Sequence, residues 1–236
     1  MFSGSQQLFD SEIGLIRYST DIVTKFYHLM NLEAHVIQNK GKFLEFGAGT
    51  GFLAQLFVDN FGIRPECVEL DPVLAKLNLD RGFECFRFLK DTEQNYEAIY
   101  TSNVLEHIED DQDALSEIHS ALVSGGCIAV YVPAHAYLFT QMDLEVGHVR
   151  RYSKSELKRK VLQAGFEIKV LNYNDSLGFF ATLLVKVMGY RKKANLGSTK
   201  SLLFYDKYMF PISRFLDRVG FRFLVGKNLL LIARKP

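Results

Sequence analysis

The sequence predicts an α/β protein built on a mostly parallel β-sheet with helices on both faces. Short, continuous apolar runs alternate with segments of helical periodicity along the middle of the chain. Strands that are apolar throughout are typical of a sheet buried on both faces. The composition, 48% hydrophobic and 23% charged residues in a chain of 236, is that of a globular protein large enough for a substantial core.

The predicted elements begin with an N-terminal helical cap within residues 1–40. Apolar residues recur at helical spacing from Ser11, a candidate N-cap, to Gln38, and Gly41 is a candidate stop. The strand-like runs that follow are Phe43–Phe46, Cys67–Leu70, Ala98–Thr101, Cys127–Val132 and Phe166–Tyr173. The helix-like segments are Gly51–Phe61, Pro72–Leu79, Asp111–Val123 and Ser153–Ala164, the last with a capping box of Ser153 and Glu156. The predicted core domain is 41–174.

Residues 175–226 break this alternation. They carry nine lysines and arginines against three aspartates, a charge of +6, although the whole chain has a formal charge of only +1. Apolar residues at helical spacing within them predict a basic, apolar helical insertion before the final strand, which is predicted at Asn228–Ala233 within 227–236. The longest apolar run, Leu177–Val185, is about half the length of a membrane span.

Charge, cysteines and the N-terminus limit the possible partners and location. The near-neutral net charge disfavours a dedicated DNA-binding protein. The three cysteines lie in apolar runs without C-x-x-C spacing, which favours reduced core thiols and no metal site. Residues 1–10 lack the basic and apolar regions of a signal peptide. We therefore expect a cytoplasmic protein.

A glycine-rich turn follows the first strand. Its pattern is E-x-G-x-G-x-G, from Glu45 to Gly51. The dinucleotide fingerprint needs its third glycine at position 52, which is Phe52, and no P-loop lysine follows. This disfavours a nicotinamide-dependent oxidoreductase or epimerase. The carboxylate of Glu45 would repel a pyrophosphate but suits a ligand with an ammonium group. After the second strand, Glu69 is placed to accept hydrogen bonds from ribose hydroxyls.

With this loop and Glu69, the chain resembles the class I S-adenosylmethionine (SAM)-dependent methyltransferases over residues 41–174 and the last strand. The resemblance implies a Rossmann-like sheet of seven strands, the last antiparallel, with SAM as cofactor and S-adenosylhomocysteine as product. It also implies that Tyr96–Ile108 forms the fourth strand and a loop over the cofactor. The implied cofactor-binding residues are Glu45, Gly47, Ala48 and Gly49 at the methionine part, Glu69 at the ribose, Leu70 at the adenine, and Asn103 and Leu105 near the methyl donor.

Two histidines are the catalytic candidates, because methylation of an oxygen requires removal of its proton and imidazole has a suitable pKa. His107 lies in the L-E-H turn after the fourth strand. His148 lies in D-x-x-x-G-H-x-R-R-Y, which resembles a bacterial methyltransferase subgroup often found in polysaccharide and lipid-glycan biosynthesis. The candidate substrate-binding residues of this loop are Asp143, Arg150, Arg151 and Tyr152.

Alternatives remain open at both histidines. His107 equally suits a structural role in the cofactor loop, and the arginines equally suit pairing with Asp143 and nearby acids. Glu106 and His107 alone do not make a metal site, so no metal is predicted.

The predicted function is methyl transfer from SAM to a small-molecule or glycan- or lipid-linked acceptor, on oxygen with a histidine base. The alternative is a SAM-binding regulatory or partner subunit without turnover. Nucleic acid is not a predicted acceptor, because no N-P-P-[YF] motif is present. Two interpretations of the insertion at 175–226 remain open. In the first it is a helical cap packed on the sheet. In the second it is a lid for a lipidic substrate, or a basic surface in peripheral contact with the inner face of the membrane.

Overall fold

The computed structural model describes residues 5–38, 40–188 and 198–236. Seven strands form one sheet in the order β3-β2-β1-β4-β5-β7-β6, and β7 runs antiparallel to both of its neighbours. The strands are β1 Phe43–Phe46, β2 Glu66–Val68, β3 Cys85–Phe86, β4 Tyr96–Ser102, β5 Leu122–Pro133, β6 Glu167–Asn174 and β7 Asn228–Arg234. The predicted Rossmann-like sheet with an antiparallel last strand is confirmed.

Helices cover both faces of this sheet. The α-helices are α1 Ser5–Gly14, α2 Ile16–Leu29, α3 Phe52–Phe61, α4 Pro72–Asp80, α5 Asp111–Ala121, α6 Gln141–Glu145, α7 Lys154–Gln163, α8 Ser176–Met188, α9 Thr199–Phe204 and α10 Phe210–Arg218. Alternation along the strands divides the core into two layers, since Leu44 of β1 packs on one face and its neighbour Phe43 on the other. The layer that contains Phe43 includes Phe26 of α2, whereas α5 and α7 cover the opposite face.

The prediction of one helix from Ser11 to Gln38 is wrong. The chain forms α1 and α2 with a break at Leu15, and then a π-helical turn, Glu33–Gln38. Ser11 lies inside α1 and is not an N-cap. The first turn of α2 is instead capped by a distant residue, because Asp206 accepts hydrogen bonds from the amides of Arg17 and Tyr18 at 3.0 and 2.8 Å.

Two predicted boundaries also differ from the structure. β2 ends at Val68, so Glu69 and Leu70 lie beyond the strand. The predicted helix Asp111–Val123 ends at Ala121, because Leu122 already pairs with Tyr96 of β4. The capping of α7 agrees with the sequence, since Ser153 Oγ accepts a hydrogen bond from the amide of Glu156 at 3.1 Å.

The insertion, residues 175–226, leaves the sheet after β6 and returns at β7. Asn228 pairs with Asn174 at the end of β6 and with Pro133 at the end of β5. The described part contains α8, α9, a π-helical turn at Tyr205–Met209, and α10. Residues 189–197, with three of the predicted basic residues, lie outside the described residues. Because strands β1, β4 and β5 are parallel, the insertion emerges at the edge where the glycine-rich turn and the loop after β4 also lie.

Candidate active site

The glycine-rich turn connects β1 to α3 in a conformation that requires glycine. Gly51 caps α3 with φ of 76°, and a Cβ atom there would collide with Asn78 Oδ1. The side chain of Asn78 donates a hydrogen bond of 2.8 Å to the carbonyl of Gly49. The third glycine of the motif is therefore needed at position 51, and Asn78, a residue that the sequence analysis missed, holds the turn in place.

Glu69 lies against the same turn. Its Oε2 accepts a hydrogen bond from the amide of Gly49 at 2.7 Å, and its Oε1 accepts one from the amide of Asp71 at 2.9 Å. Partial burial raises the pKa of Glu69 above its ordinary value. A carboxylate has about four lone-pair sites, so it retains capacity to accept hydrogen bonds from a bound hydroxyl pair. Leu70, which follows it, is exposed.

Glu45 is a buried carboxyl group on β1, only 3% exposed. Burial raises the pKa of Glu45 to about 8. Among the described residues, its Oε2 atom has no hydrogen-bond partner. A buried acidic group in this state would be stabilised by a cation.

We expect the Glu45→Gln protein to be more stable than the wild-type chain in the absence of ligand, by about 2–3 kcal/mol near neutral pH. The carboxyl group has a folded-state pKa of about 8 against an ordinary value of 4.5. Ionisation of this carboxyl group therefore costs the folded state no stability below pH 4.5. The free energy of unfolding then falls as the pH rises from 4.5 towards 8. Urea unfolding at several pH values measures this. The advantage of the glutamine variant should grow over that interval, and a constant difference would contradict the assignment.

The loop after β4 contacts the glycine-rich turn directly. A Cβ atom on Gly47 would lie 2.5 Å from Val104 Cγ2, so these two residues pack closely. Asn103 is exposed with φ of 54°, whereas the side chain of Leu105 is fully buried in the core. The next turn, Leu105–His107, thus begins one residue beyond the contact with Gly47.

The two candidate histidines come together at this turn. Their ring centroids are 4.8 Å apart in an edge-to-face arrangement. His107 Nδ1 lies 3.1 Å from the carbonyl oxygen of Gly147, and His148 Nδ1 lies 2.9 Å from Asp143 Oδ1. Since both partners are acceptors, each imidazole donates from Nδ1, and in its neutral form the lone pair is on Nε2.

The environment sets the charge of the groups around the pair. Burial, together with the nearby His148, lowers the pKa of His107 to about 4. Burial opposes ionisation of Asp143, but hydrogen bonds from His148 and Arg151 outweigh it and lower the pKa of Asp143 to about 2. Asp143 is therefore an anion that fixes the orientation of His148.

Glu106 is a site residue that the sequence analysis did not select. Its side chain is fully buried, and its Oε1 atom lies 3.8 Å from His148 Nε2. Burial raises the pKa of Glu106 to about 8. Neither of its oxygens has a hydrogen-bond partner in the described part of the chain. In the sequence, its position directly before His107 was the only indication of a role. The fold shows that its carboxyl group lies beside the His148 imidazole.

The charged residues of the loop after α6 are bonded within the protein. Arg151 is buried and donates from Nε to Asp143 Oδ1 at 2.8 Å. Arg150 Nη1 lies 2.8 Å from Asp111 Oδ2, and the buried hydroxyl of Tyr152 donates to the same oxygen at 2.6 Å. These contacts favour the positioning role that the sequence left open, in which the loop is held against the Leu105–His107 turn. Substrate binding by these residues stays a prediction.

Comparison with known protein families decides the class of the protein. The family model described as a methyltransferase domain matches residues 22–170. The chain belongs to this family. Its sheet order and antiparallel last strand are those of the class I SAM-dependent methyltransferases that the sequence resembles, so the predicted enzyme class is confirmed. A comparison with curated proteins gave no match.

Solved structures of several enzymes share the fold at low sequence identity. A Galdieria sulphuraria protein assigned as a sarcosine dimethylglycine methyltransferase is 15% identical with a TM-score of 0.59, over 92% of this chain and 85% of its own. Phosphoethanolamine N-methyltransferase 2 of Haemonchus contortus, solved with SAM, is 16% identical with a TM-score of 0.55, over 83% and 49%. The cyclopropane synthase MmaA2 of Mycobacterium tuberculosis is 13% identical with a TM-score of 0.54, over 83% and 78%. At these identities the likeness shows the fold alone, so the acceptor of this methyltransferase has to be inferred from its own site.

Proposed function

We propose that this methyltransferase transfers the methyl group of SAM to a hydroxyl oxygen of a glycan- or lipid-linked acceptor at a membrane surface. The observation that carries the proposal is the position of His148. Its imidazole is oriented by Asp143 and lies at the turn that follows Val104, the residue packed on the glycine-rich turn. The proton acceptor is thus linked to the glycine-rich turn through one short segment, since His148 packs on His107 and Val104 packs on Gly47.

The residues of the proposed cofactor site fit SAM chemically. The buried Glu45 oxygen without a partner suits the ammonium group of the methionine part, beside Gly47, Ala48 and Gly49. Glu69 suits the ribose hydroxyls. In addition, Leu70 offers an exposed apolar side chain for the adenine, and Asn103 and Leu105 belong to the loop that packs on the turn. When bound, SAM supplies an electrophilic methyl group, and the protein has to align the acceptor with it.

The proton of the acceptor hydroxyl is assigned to His148. Its Nδ1–H is fixed on Asp143, so Nε2 is the atom that accepts the proton. Asp143 is a positioning residue, because it acts on the acceptor only through the imidazole. His107, whose pKa is held low by burial and by His148, is the second candidate for contact with the acceptor.

The surface of the insertion supports an acceptor at a membrane. Its three aspartates, Asp175, Asp206 and Asp217, are all buried. The basic side chains in its described part are all exposed, namely Lys186, Lys200, Lys207, Arg214, Arg218 and Arg222. The described surface of the insertion therefore carries positive charge alone, which attracts anionic lipids.

Helix α10 presents its apolar residues to the outside. Its buried side includes the polar Ser213 and Asp217, whereas Ile212, Phe215 and Val219 are 52%, 62% and 59% exposed. After α10, Phe223 and Leu224 are also exposed. We define Ile212, Phe215, Val219, Phe223 and Leu224 as the outer apolar surface. Apolar side chains among exposed arginines are typical of helices that lie in the membrane interface, and no helix in the described residues is long and apolar enough to cross a membrane.

The test of the cofactor and of turnover uses SAM carrying a labelled methyl group. We expect SAM to bind and NAD not to bind in calorimetric titration, and Glu69→Ala to weaken SAM binding by about 100-fold through loss of two charge-assisted hydrogen bonds. Label should then enter hydroxylated glycan or lipid fractions. SAM binding without transfer to any fraction would favour a SAM-binding subunit without turnover, and binding of NAD alone would overturn the cofactor assignment.

Vesicle flotation tests the membrane surface. We expect the chain to float with vesicles of phosphatidylcholine and phosphatidylglycerol, but not with phosphatidylcholine alone. Arg218→Gln should weaken binding about fivefold, since each basic residue near an anionic surface contributes about 1 kcal/mol. Phe215→Ser should weaken vesicle binding more than Arg218→Gln does. Leu79→Ser, at a similarly exposed position on α4, is the control and should bind vesicles as the wild-type chain does. Absence of binding to anionic vesicles at low salt would exclude this part of the proposal.

A further inference from the structure

The side chains of Glu106, His107 and His148 form a compact group of potential metal ligands. One atom from each, a carboxylate oxygen and two imidazole nitrogens, lies within 4.8 Å of the others. From these residues we propose that the group binds a divalent transition-metal cation. The proposed function assigns the imidazoles to the acceptor and does not include a metal.

The first argument is the state of Glu106. Its carboxyl group is fully buried, and both oxygens lack a hydrogen-bond partner among the described residues. Buried carboxylates in proteins are paired, hydrogen-bonded or coordinated to a metal. The guanidinium of Arg151 donates from Nε to Asp143 at 2.8 Å, and neither it nor any other described residue forms a hydrogen bond with the Glu106 oxygens. A cation between Glu106 and the imidazoles would supply the missing partner.

The second argument is the way in which both imidazoles are held. Histidines that bind metals almost always donate the other ring N–H to a carboxylate or a backbone carbonyl, which fixes the tautomer and the ring. His148 does so to Asp143 and His107 to the carbonyl of Gly147. With Nδ1 donating in both rings, Nε2 is the atom that the neutral form of each imidazole would present to a cation.

The ligand set determines the class of cation. Two imidazole nitrogens and one carboxylate oxygen suit zinc and neighbouring first-row metals, whereas Mg²⁺ and Ca²⁺ prefer oxygen ligands. Ligand atoms about 2.0–2.1 Å from zinc lie about 3.3 Å apart in a tetrahedral site. His148 Nε2 and Glu106 Oε1 are 3.8 Å apart, so small side-chain rotations close the site. Three protein ligands leave a fourth position for water or the acceptor oxygen.

The metal site itself is independent of the proposed function. Only the effect of the metal on turnover rests on the proposed function. A bound cation would be held by Glu106, His107 and His148, so His148 Nε2 would be a ligand in place of the proton acceptor. The cation would lower the pKa of a coordinated hydroxyl, whose proton would then be lost to solvent water. His148 would remain essential to turnover, but as a ligand.

Metal titration of the chelator-treated full chain tests the proposal. We expect one equivalent of Zn²⁺ by calorimetry, tetrahedral absorption bands with Co²⁺, and no comparable binding of Mg²⁺. Glu106→Gln should weaken Zn²⁺ binding by about 100-fold or more, and Asp143→Asn by about 10–100-fold with an altered Co²⁺ spectrum. His28→Gln, an exposed histidine outside the group, should bind as the wild-type chain does. Thermal unfolding of each variant shows whether it is folded.

The outcomes separate the two proposals. Zn²⁺ binding that is absent, or unchanged in a folded Glu106→Gln protein, overturns the metal site. If labelled methyl transfer persists under those conditions, the proposed function stands. If the metal binds as described and no acceptor receives the methyl group, the metal site stands and the proposed function falls.

Discussion

The His148→Ala protein is expected to bind SAM with the affinity of the wild-type chain and to lose at least about 100-fold in turnover. The imidazole lies between Asp143 and Glu106, and His148 is not one of the residues proposed to hold the cofactor. The loss is expected whether Nε2 accepts the proton or holds a cation, because both roles need the same atom. Calorimetry with SAM and transfer of a labelled methyl group measure the two quantities separately.

The control for this variant is His28→Ala, which removes an exposed imidazole from α2. Its turnover and SAM affinity should equal those of the wild-type chain. A His148→Ala protein that turns over at the wild-type rate would remove His148 from the mechanism. Equal losses in SAM affinity and turnover would place His148 in the cofactor site instead.

The Asp217→Ala substitution is expected to lower the free energy of unfolding by about 3–5 kcal/mol, more than any surface change. Asp217 Oδ2 accepts a hydrogen bond from the amide of Asp175 at 2.8 Å. Its Oδ1 accepts from the amide of Ser176 at 3.1 Å and also from the hydroxyl of Ser176. Alanine would leave these buried donors without an acceptor at the start of α8. Chemical denaturation measures the loss.

Two further variants show whether the loss comes from the buried donors. Asp217→Asn keeps one acceptor oxygen and should lose less stability than Asp217→Ala. Asp80→Ala removes an exposed carboxylate from the end of α4, 3.6 Å from Lys76, and should change stability by less than about 0.5 kcal/mol. A small effect of Asp217→Ala would mean that solvent reaches these amides.

The sequence predicts the sheet better than it predicts the helices that contact the insertion. Buried strands are rich in apolar residues, and this local signal locates β1, β2 and β4 along the chain. Helix α10 carries an equally clear periodic pattern, but its apolar residues Ile212 and Phe215 face outward and Phe210 is buried. The reason is that Ser213 and Asp217 turn inward to bond with α8 and the residue before it. Periodicity shows that a helix has two faces and does not show which one is covered.

The same contrast applies to the site. The glycine-rich turn is local in sequence, so its residues and the constraint at Gly51 could be predicted from their spacing. The histidine group is built from segments some forty residues apart, and its key contact, Glu106 with His148, depends on how the loop after α6 folds back. The same loop geometry directs Arg150 to Asp111 and Arg151 to Asp143. The sequence alone left two roles open for these arginines, substrate binding and pairing with nearby acids.

The order of the strands also has a consequence for synthesis of the chain. Within the described residues, β6 pairs with β7 alone, and β7 lies between β6 and β5. During translation β6 therefore has no strand to pair with until the whole insertion has left the ribosome and β7 has followed it. The edges of β5 and β6 stay open during that time, and open strand edges are sites of misassociation. A nascent chain stalled within the insertion would thus lack β7, the strand with which both β5 and β6 pair.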